Sequence, residues 1–173
     1  MPNWCECDLY IYGSSPMLEH FKINAADDNG KYLSEEPFLP YPEQFHKRDE
    51  QANFSNSTFR IMPKAFQIKI DDWYAKDGYN SGGYEWCRRN WGTKWGICRP
   101  FLDKQSTRRL LYRFECAWGP CTPIVAAMGA KYPSMRFLLK YFESGGAFCG
   151  RFEVKNGEVV CDESYSYNGR RGG

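Results

Sequence analysis

The sequence predicts an α+β fold in which an antiparallel sheet carries helices on one face. Apolar and polar residues alternate over residues 4–12, 108–118 and 135–143, which is the period of a β-strand. Two segments with helical spacing, each opened by a proline, lie between these strands. Asn156-Gly157 separates two further alternating segments, and this dipeptide is typical of a tight hairpin.

The first strand and the first helix come in direct succession. One face of the strand holds Cys5, Cys7, Leu9 and Ile11, and the other holds Trp4, Glu6, Asp8, Tyr10 and Tyr12. Ser15-Pro16 then starts a helix that we expect to end near Asn24, with Leu18 and Phe21 on its apolar side.

A long insertion follows the first helix. From about residue 25 to residue 83 the periodicity is weak, and four prolines interrupt it. We expect short helices around residues 44–52 and 64–76. Beyond the insertion, a helical turn over 84–90 and a short strand near 94–98 are predicted.

The second half of the chain contains the longest amphipathic strand, 108–118. Its aromatic face holds Tyr112, Phe114 and Trp118, and we expect that face to pack on the helices. Thr122-Pro123 starts the second helix, which ends before Pro133. The strand over 135–143 follows, and then the hairpin strands. Those strands span 147–154 and 158–163, and residues 169–173 form a flexible tail.

The element order β-α-β-β-α-β is that of a ferredoxin-like split βαβ sandwich. The sequence therefore predicts one ferredoxin-like domain over residues 1–168, with the insertion at about 25–83 and a C-terminal β-hairpin. Both helices cover one face of such a sheet. The other face is open unless the insertion covers it.

Composition narrows the class of protein. The chain has 173 residues, a net charge of +2 and 17% aromatic residues, so it is neither disordered nor a polycation. No apolar run is long enough to span a membrane. The N-terminus lacks the features of a secretory signal, so we expect a cytoplasmic protein with reduced thiols.

Charge and tryptophan are concentrated in one segment. Residues 86–113 hold eight basic residues and one acidic residue. Arginine forks suit phosphates and indoles suit nucleobases. The segment thus predicts an anionic, nucleotide-like ligand bound by Arg88, Arg89, Trp91, Lys94, Trp95 and Arg99. The alternative is that the tryptophans belong to the core and the cations to a solvated rim.

The open sheet face is a second candidate surface. Arg109 and Arg113 project from one side of the long strand, and Arg136, Lys140 and Phe142 from one side of the next. Ferredoxin-like sheets that bind RNA use aromatic and arginine side chains on this face. A single-stranded nucleic acid is therefore an alternative partner, and support of the insertion is the other role open to this face.

The eight cysteines and two histidines carry no metal or catalytic motif. Cys5, Cys7, Cys116 and Cys121 lie close enough in the predicted fold for a zinc site, but no Cys-x-x-Cys pair exists and buried thiols also serve as small apolar groups. Cys87 and Cys98 neighbour arginines, which can activate a thiol as a nucleophile. No base accompanies them, so we predict no cofactor and no enzyme, with a small nucleotide hydrolase as the alternative.

Several motifs resemble the YubB-like ferredoxin-like proteins of phages and conjugative plasmids. They are Met1-Pro2-Asn3-Trp4-Cys5, Gly13, Phe38…Pro40…Pro42, Asn90-Trp91-Gly92-Thr93-Lys94-Trp95, Ala117-Trp118 before Pro120 and Pro123, and Tyr141-Phe142-Glu143 before Gly146…Phe148-Cys149-Gly150. The chain departs from the family at Cys7, near which an asparagine is usual. The resemblance implies the fold and an origin in a mobile element, but no chemistry.

Together these observations predict a non-enzymatic binding protein of a phage or mobile element, acting in the cytoplasm of a bacterial host. By analogy with small phage accessory proteins, we expect it to counteract host defence. It would bind a nucleotide signal or a host defence protein. A homo-oligomer is compatible with a nucleotide pocket shared between subunits.

Overall fold

The computed structural model describes residues 2–27, 30–61 and 77–167, with the backbone alone over 54–61. Those residues form six strands: β1 (Trp4–Tyr12), β2 (Cys98–Gln105), β3 (Arg109–Ala117), β4 (Arg136–Glu143), β5 (Phe148–Lys155) and β6 (Glu158–Ser166). They also form four α-helices: α1 (Ser15–Ala25), α2 (Glu43–Ile61), α3 (Tyr84–Asn90) and α4 (Thr122–Lys131). None of the helices in these ranges has the length and hydropathy that crossing a membrane requires.

The strands form one antiparallel sheet in the order β2-β3-β1-β4-β5-β6. The first four strands of that order, with α1 and α4, reproduce the predicted ferredoxin-like sandwich, and the β5–β6 hairpin extends its edge. Asn156 and Gly157 both have positive φ at the hairpin turn, as the Asn-Gly dipeptide predicts.

The core lies between one sheet face and the two helices of the sandwich. Every second residue of β1, from Cys5 to Ile11, is fully buried there. Phe21 of α1 packs against Tyr112 of β3 and Phe137 of β4, with ring centroids 6.4 Å and 5.7 Å apart. These aromatic contacts attach α1 to β3 and β4, the two strands that flank β1.

The chain divides into two compact units, one made of residues 1–40 and 87–173 and the other of residues 41–86. Within the second unit, Tyr41 packs against Phe45 and Trp86, and the N–H of Tyr79 donates to the carboxylate of Asp49 at 3.0 Å. The predicted single domain with an insertion over 25–83 stays a prediction.

Some element boundaries differ from those predicted. Helix α2 runs to Ile61 rather than ending near residue 52, and the helix predicted over 64–76 lies outside the described residues, as does the tail. The strand predicted near 94–98 was placed too early, because β2 begins at Cys98. Gly92 and Gly96 have φ values of +74° and +66°, which an extended strand does not allow.

Candidate functional site

The sheet face opposite the two helices carries an alternating set of aromatic and charged side chains. In β1 this open face holds Trp4, Glu6, Asp8, Tyr10 and Tyr12, the set that the alternation of the sequence predicts. Strand register adds Arg113 opposite Asp8, and Lys140 opposite the same residue on the other side. The open face therefore has three zones along β1.

Three tryptophans meet at the Trp4 end of β1, and we call this group with its two cations the tryptophan corner (Trp4, Lys94, Trp95, Arg99 and Trp118). The rings of Trp4 and Trp95 have centroids 5.9 Å apart. The Lys94 ammonium lies 4.5 Å from the centroid of Trp95 and 4.9 Å from that of Trp118. The Arg99 guanidinium lies 4.6 Å from the centroid of Trp4.

The indoles at this corner are open to solvent. Trp118 is 48% exposed and Trp95 is 40% exposed, values that are high for the largest apolar side chain. Trp118 follows the end of β3 with φ +68°, so it leaves the strand. The prediction that Trp118 packs on the helices with Tyr112 and Phe114 was wrong for Trp118 alone, because the strand ends one residue before it.

The loop that presents Lys94 and Trp95 is held by hydrogen bonds at both ends. The indole N–H of Trp91 donates to the carbonyl of Leu39 at 2.8 Å. The hydroxyl of Thr93 donates to the carbonyl of Ala117 at 2.9 Å, next to Trp118. Trp91 is only 6% exposed, so it is an anchor of the loop rather than part of its outer surface.

The buried side chain of Glu35 binds the C-terminal end of the same loop. Its carboxylate, 7% exposed as a residue, accepts from the Lys31 ammonium at 2.8 Å and from the N–H of Ile97 at 3.3 Å. A Cβ on Gly96 would come within 2.7 Å of the Glu35 carboxyl carbon. A glycine is therefore needed where the loop passes this carboxylate.

The middle of the open face is an acidic band, which we define as Glu6, Asp8, Asp103 and Glu115. Arg113 lies 3.3 Å from both Asp8 and Asp103, and Arg99 lies 2.6 Å from Glu115. Glu6 and Glu115 are directly opposite each other across the β1–β3 pair. With four acids and two arginines, this zone is the least favourable part of the face for an anion.

The other end of the open face is a tyrosine patch, which we define as Tyr10, Tyr12, Arg109, Arg136 and Lys140. Arg109 from β3 and Lys140 from β4, the strands on either side of β1, lie 5.8 Å and 5.9 Å from the centroid of the Tyr10 ring. The Arg136 guanidinium lies 5.0 Å from the centroid of Tyr12. These distances suit cation–π attraction.

One cation of the patch is committed to a carboxylate. The Nε of Arg136 donates to Glu153 at 2.7 Å. This hydrogen bond lowers the pKa of the Glu153 carboxyl below its usual value, so the pair is ionised near neutral pH. Among the described residues, Arg109 and Lys140 form no ion pair, which leaves their charge available to an external anion.

The structure brings the sequence-predicted site residues together only in part. Lys94, Trp95 and Arg99 lie in the tryptophan corner, Arg109 in the tyrosine patch and Arg113 beside the acidic band. Arg88 and Arg89 are exposed on α3, and the contacts that define the corner come from other elements. That Arg88 and Arg89 bind a ligand stays a prediction.

Sequence reasoning did not single out Trp4 and Trp118 as site residues. The alternation of the first strand places Trp4 on the open face, and that pattern could have indicated it. No local pattern indicates Trp118, because its position depends on the turn after β3 and on the anchored loop at Thr93.

The thiols lie mostly in the core. Burial raises the pKa of the Cys7 and Cys116 thiols, and a hydrogen bond with Cys116 together with burial raises the pKa of the Cys121 thiol. Over the described ranges, no cluster of cysteine, histidine or carboxylate side chains has the arrangement of a metal site. Burial also raises the pKa of Cys98, which disfavours the thiolate that a nucleophile needs.

Comparison with known proteins supports the fold. A search of curated proteins found no match. The crystal structure of a protein api92 from Yersinia pseudotuberculosis is similar to this chain, with a TM-score of 0.57 and 8% identity, covering 98% of this chain and 99% of that one. Residues 90–170 match the family model described as the ferredoxin-like domain in Api92-like protein. The chain thus has an α+β fold with a ferredoxin-like domain, and residues 90–170 are similar to that domain of Api92-like proteins.

Proposed function

We propose that this chain is a non-enzymatic binding protein whose tryptophan corner takes a nucleotide-like anionic ligand. One observation carries the proposal: the Lys94 ammonium lies within 5 Å of two half-exposed indoles. Aromatic faces and a positive charge at one exposed place suit a ligand that has both a flat base and a phosphate.

The contacts of the corner allow a division of roles. A nucleobase stacks on Trp95 or Trp118, whose outer faces are open. The phosphate binds to Lys94 and Arg99. Arg99 is paired with Glu115, but a phosphate has more charge and more acceptor oxygens than a carboxylate, so it competes for the arginine fork.

Binding rather than catalysis fits the chemistry of this corner. The thiol of Cys98 donates to the carbonyl of Trp95 at 3.9 Å and has a raised pKa, so it stays protonated near neutral pH. A hydrolase would need a nucleophile or a base at the ligand. The nucleotide hydrolase stays an alternative that product formation would reveal.

We propose further that the chain acts inside a bacterial host. The resemblance to phage and plasmid proteins supports a role in countering the defences of a bacterial host, in its cytoplasm. Sequestering a nucleotide signal would do this. Exposed tryptophans beside an arginine are also typical of protein interfaces, so a host defence protein is the second candidate partner.

Calorimetric titration with adenosine monophosphate tests the proposal. We expect the nucleotide to bind more tightly than ribose 5-phosphate, which lacks the base, and than adenosine, which lacks the phosphate. Trp118→Ala and Lys94→Gln should each weaken binding about fivefold or more, the usual size of a lost stacking or charged contact.

Arg88→Gln with Arg89→Gln is the matched control, because it removes nearby positive charge from α3 without touching the corner. Melting temperatures of all variants should stay close to the wild-type value, since these side chains are at the surface. Equal affinity of the wild type and the two corner variants would overturn the proposal. A loss confined to the Arg88 and Arg89 variant would move the site to α3.

A further inference from the structure

We infer that the tyrosine patch is a second binding point and that the two ends of the open face together hold one single-stranded nucleic acid. The inference extends the proposed function and rests on it for the tryptophan end. Its own observation is the group around Tyr10, where Arg109 and Lys140 from the strands on either side of β1 both lie within 6 Å of the ring centroid.

The patch has the two groups that sequence-independent binding of single strands requires. Tyr10 and Tyr12 lie on the same face of β1, about 7 Å apart by strand rise, so each can stack on a different base. Arg109 and Lys140 supply positive charge, and within the described residues neither is neutralised by a carboxylate. A strand of nucleic acid offers a base and a phosphate at every step.

The spacing of the two ends sets the length of the ligand. Tyr10 is six positions after Trp4 on β1, which corresponds to roughly 20 Å. At about 3.4 Å per stacked nucleotide, this distance corresponds to roughly six nucleotides. A mononucleotide therefore contacts one end only, whereas a longer strand can contact both.

The acidic band explains why contact should be made at two points rather than continuously. Arg113 offsets part of the charge of Asp8 and Asp103, and Arg99 that of Glu115, but the zone keeps an excess of acids. The nucleic acid passes over the band and stacks beyond it. In a duplex each base is stacked between neighbouring base pairs, which hides the faces that tyrosines would stack on, so a duplex fits less well than a single strand.

The test is fluorescence anisotropy with labelled oligodeoxythymidylates, a dinucleotide and a dodecamer. The wild-type protein should bind the dodecamer at least about tenfold more tightly than the dinucleotide, because a second tethered contact adds to the first. The double substitution Tyr10→Thr with Tyr12→Thr keeps β propensity and removes both rings. It should abolish most of that length advantage, a loss of at least about fivefold for the dodecamer.

Tyr165→Thr is the control, since Tyr165 is an exposed tyrosine of β6 on the same sheet but outside the patch. It should leave dodecamer affinity unchanged. The Tyr10 and Tyr12 variant should also keep wild-type affinity for adenosine monophosphate, which shows that it is folded and that the corner is intact.

The outcomes separate this inference from the proposed function. Nucleotide binding at the corner with no length dependence overturns the inference and leaves the proposed function standing. Dodecamer binding that needs Tyr10 and Tyr12 but not Trp118 overturns the role of the corner, and with it the two-point arrangement. A duplex dodecamer that binds as tightly as the single strand also overturns the inference.

Discussion

The tryptophan corner and the tyrosine patch contain similar chemical groups at opposite ends of β1, but they are built differently. In the patch, strand register alone places Arg109 and Lys140 diagonally to Tyr10 on the two neighbouring strands. In the corner, only Trp4 and Arg99 belong to strands. Lys94, Trp95 and Trp118 come from segments outside the strands, fixed by side-chain hydrogen bonds.

This difference implies that the two ends depend on different parts of the sequence. The patch keeps its arrangement as long as the sheet is folded. The corner depends on a few specific groups, of which Glu35 is a buried charged one. Substitutions outside both surfaces should therefore affect one end without affecting the other.

The largest expected effect is that of Glu35→Ala. It removes the partner of the Lys31 ammonium and the acceptor of the Ile97 N–H, so the loop loses its inner support. We expect the free energy of unfolding to fall by about 2–3 kcal/mol, typical of losing hydrogen bonds to a buried charge. Denaturant titration followed by tryptophan fluorescence measures it.

Binding assays then show which end has changed. Nucleotide affinity at the corner should fall in Glu35→Ala, while the part of dodecamer binding that depends on Tyr10 and Tyr12 remains. Gly96→Ala should act in the same direction, because its φ is +66° and its Cβ would meet Glu35. Equal loss at both ends would show that the corner and the patch are not independent.

A smaller effect, of opposite sign, is expected from Glu6→Gln. This change removes one exposed negative charge from the acidic band between the two ends. Dodecamer affinity should rise about two- to fivefold at low salt, and the gain should shrink as salt screens the surface. Dinucleotide affinity should not change. An unchanged dodecamer affinity would mean that the oligonucleotide does not pass over the acidic band.

The smallest effect concerns acid stability at the tyrosine end. Because Arg136 lowers the pKa of Glu153, their pair contributes fully above the ordinary carboxyl pKa and is lost as the pH falls through the lowered value. Glu153→Gln should be less stable than wild type by below about 1 kcal/mol near neutral pH, since Arg136 is partly exposed.

Thermal melts between pH 3 and pH 7 measure this difference. The gap between Glu153→Gln and the wild type should narrow steadily towards pH 3. A gap that is constant across this range would mean that the pair does not contribute through its charge.

The sheet could be predicted from the sequence because each strand repeats the same local pattern. Alternation is a property of neighbouring residues, and it placed Cys5 to Ile11 in the core and Tyr10 on the open face. The second helix of the sandwich could be predicted equally well, because Thr122-Pro123 indicates its start and Pro133 its end. The tyrosine patch then follows from register once the strand order is known.

The tryptophan corner could be predicted only in part. The cluster of cations and indoles indicated Lys94, Trp95 and Arg99, but not which of them face outward. Trp91 is a buried anchor because of a carbonyl 52 residues earlier in the chain, at Leu39. Such long-range hydrogen bonds leave no periodic trace in the sequence, so burial and exposure within the segment had to come from the structure.

The central position of β1 has a consequence for affinity. Trp4 and Tyr10 belong to one strand that is hydrogen-bonded on both sides, so the distance between them does not vary with the motion of loops. Once one end of a flexible nucleic acid is bound, its other end meets the second binding point at a high effective concentration. The length and flexibility of the nucleic acid alone determine that concentration. The entropy cost of the second contact then comes from ordering the nucleic acid. A stiffer ligand of the right length would therefore gain the most affinity.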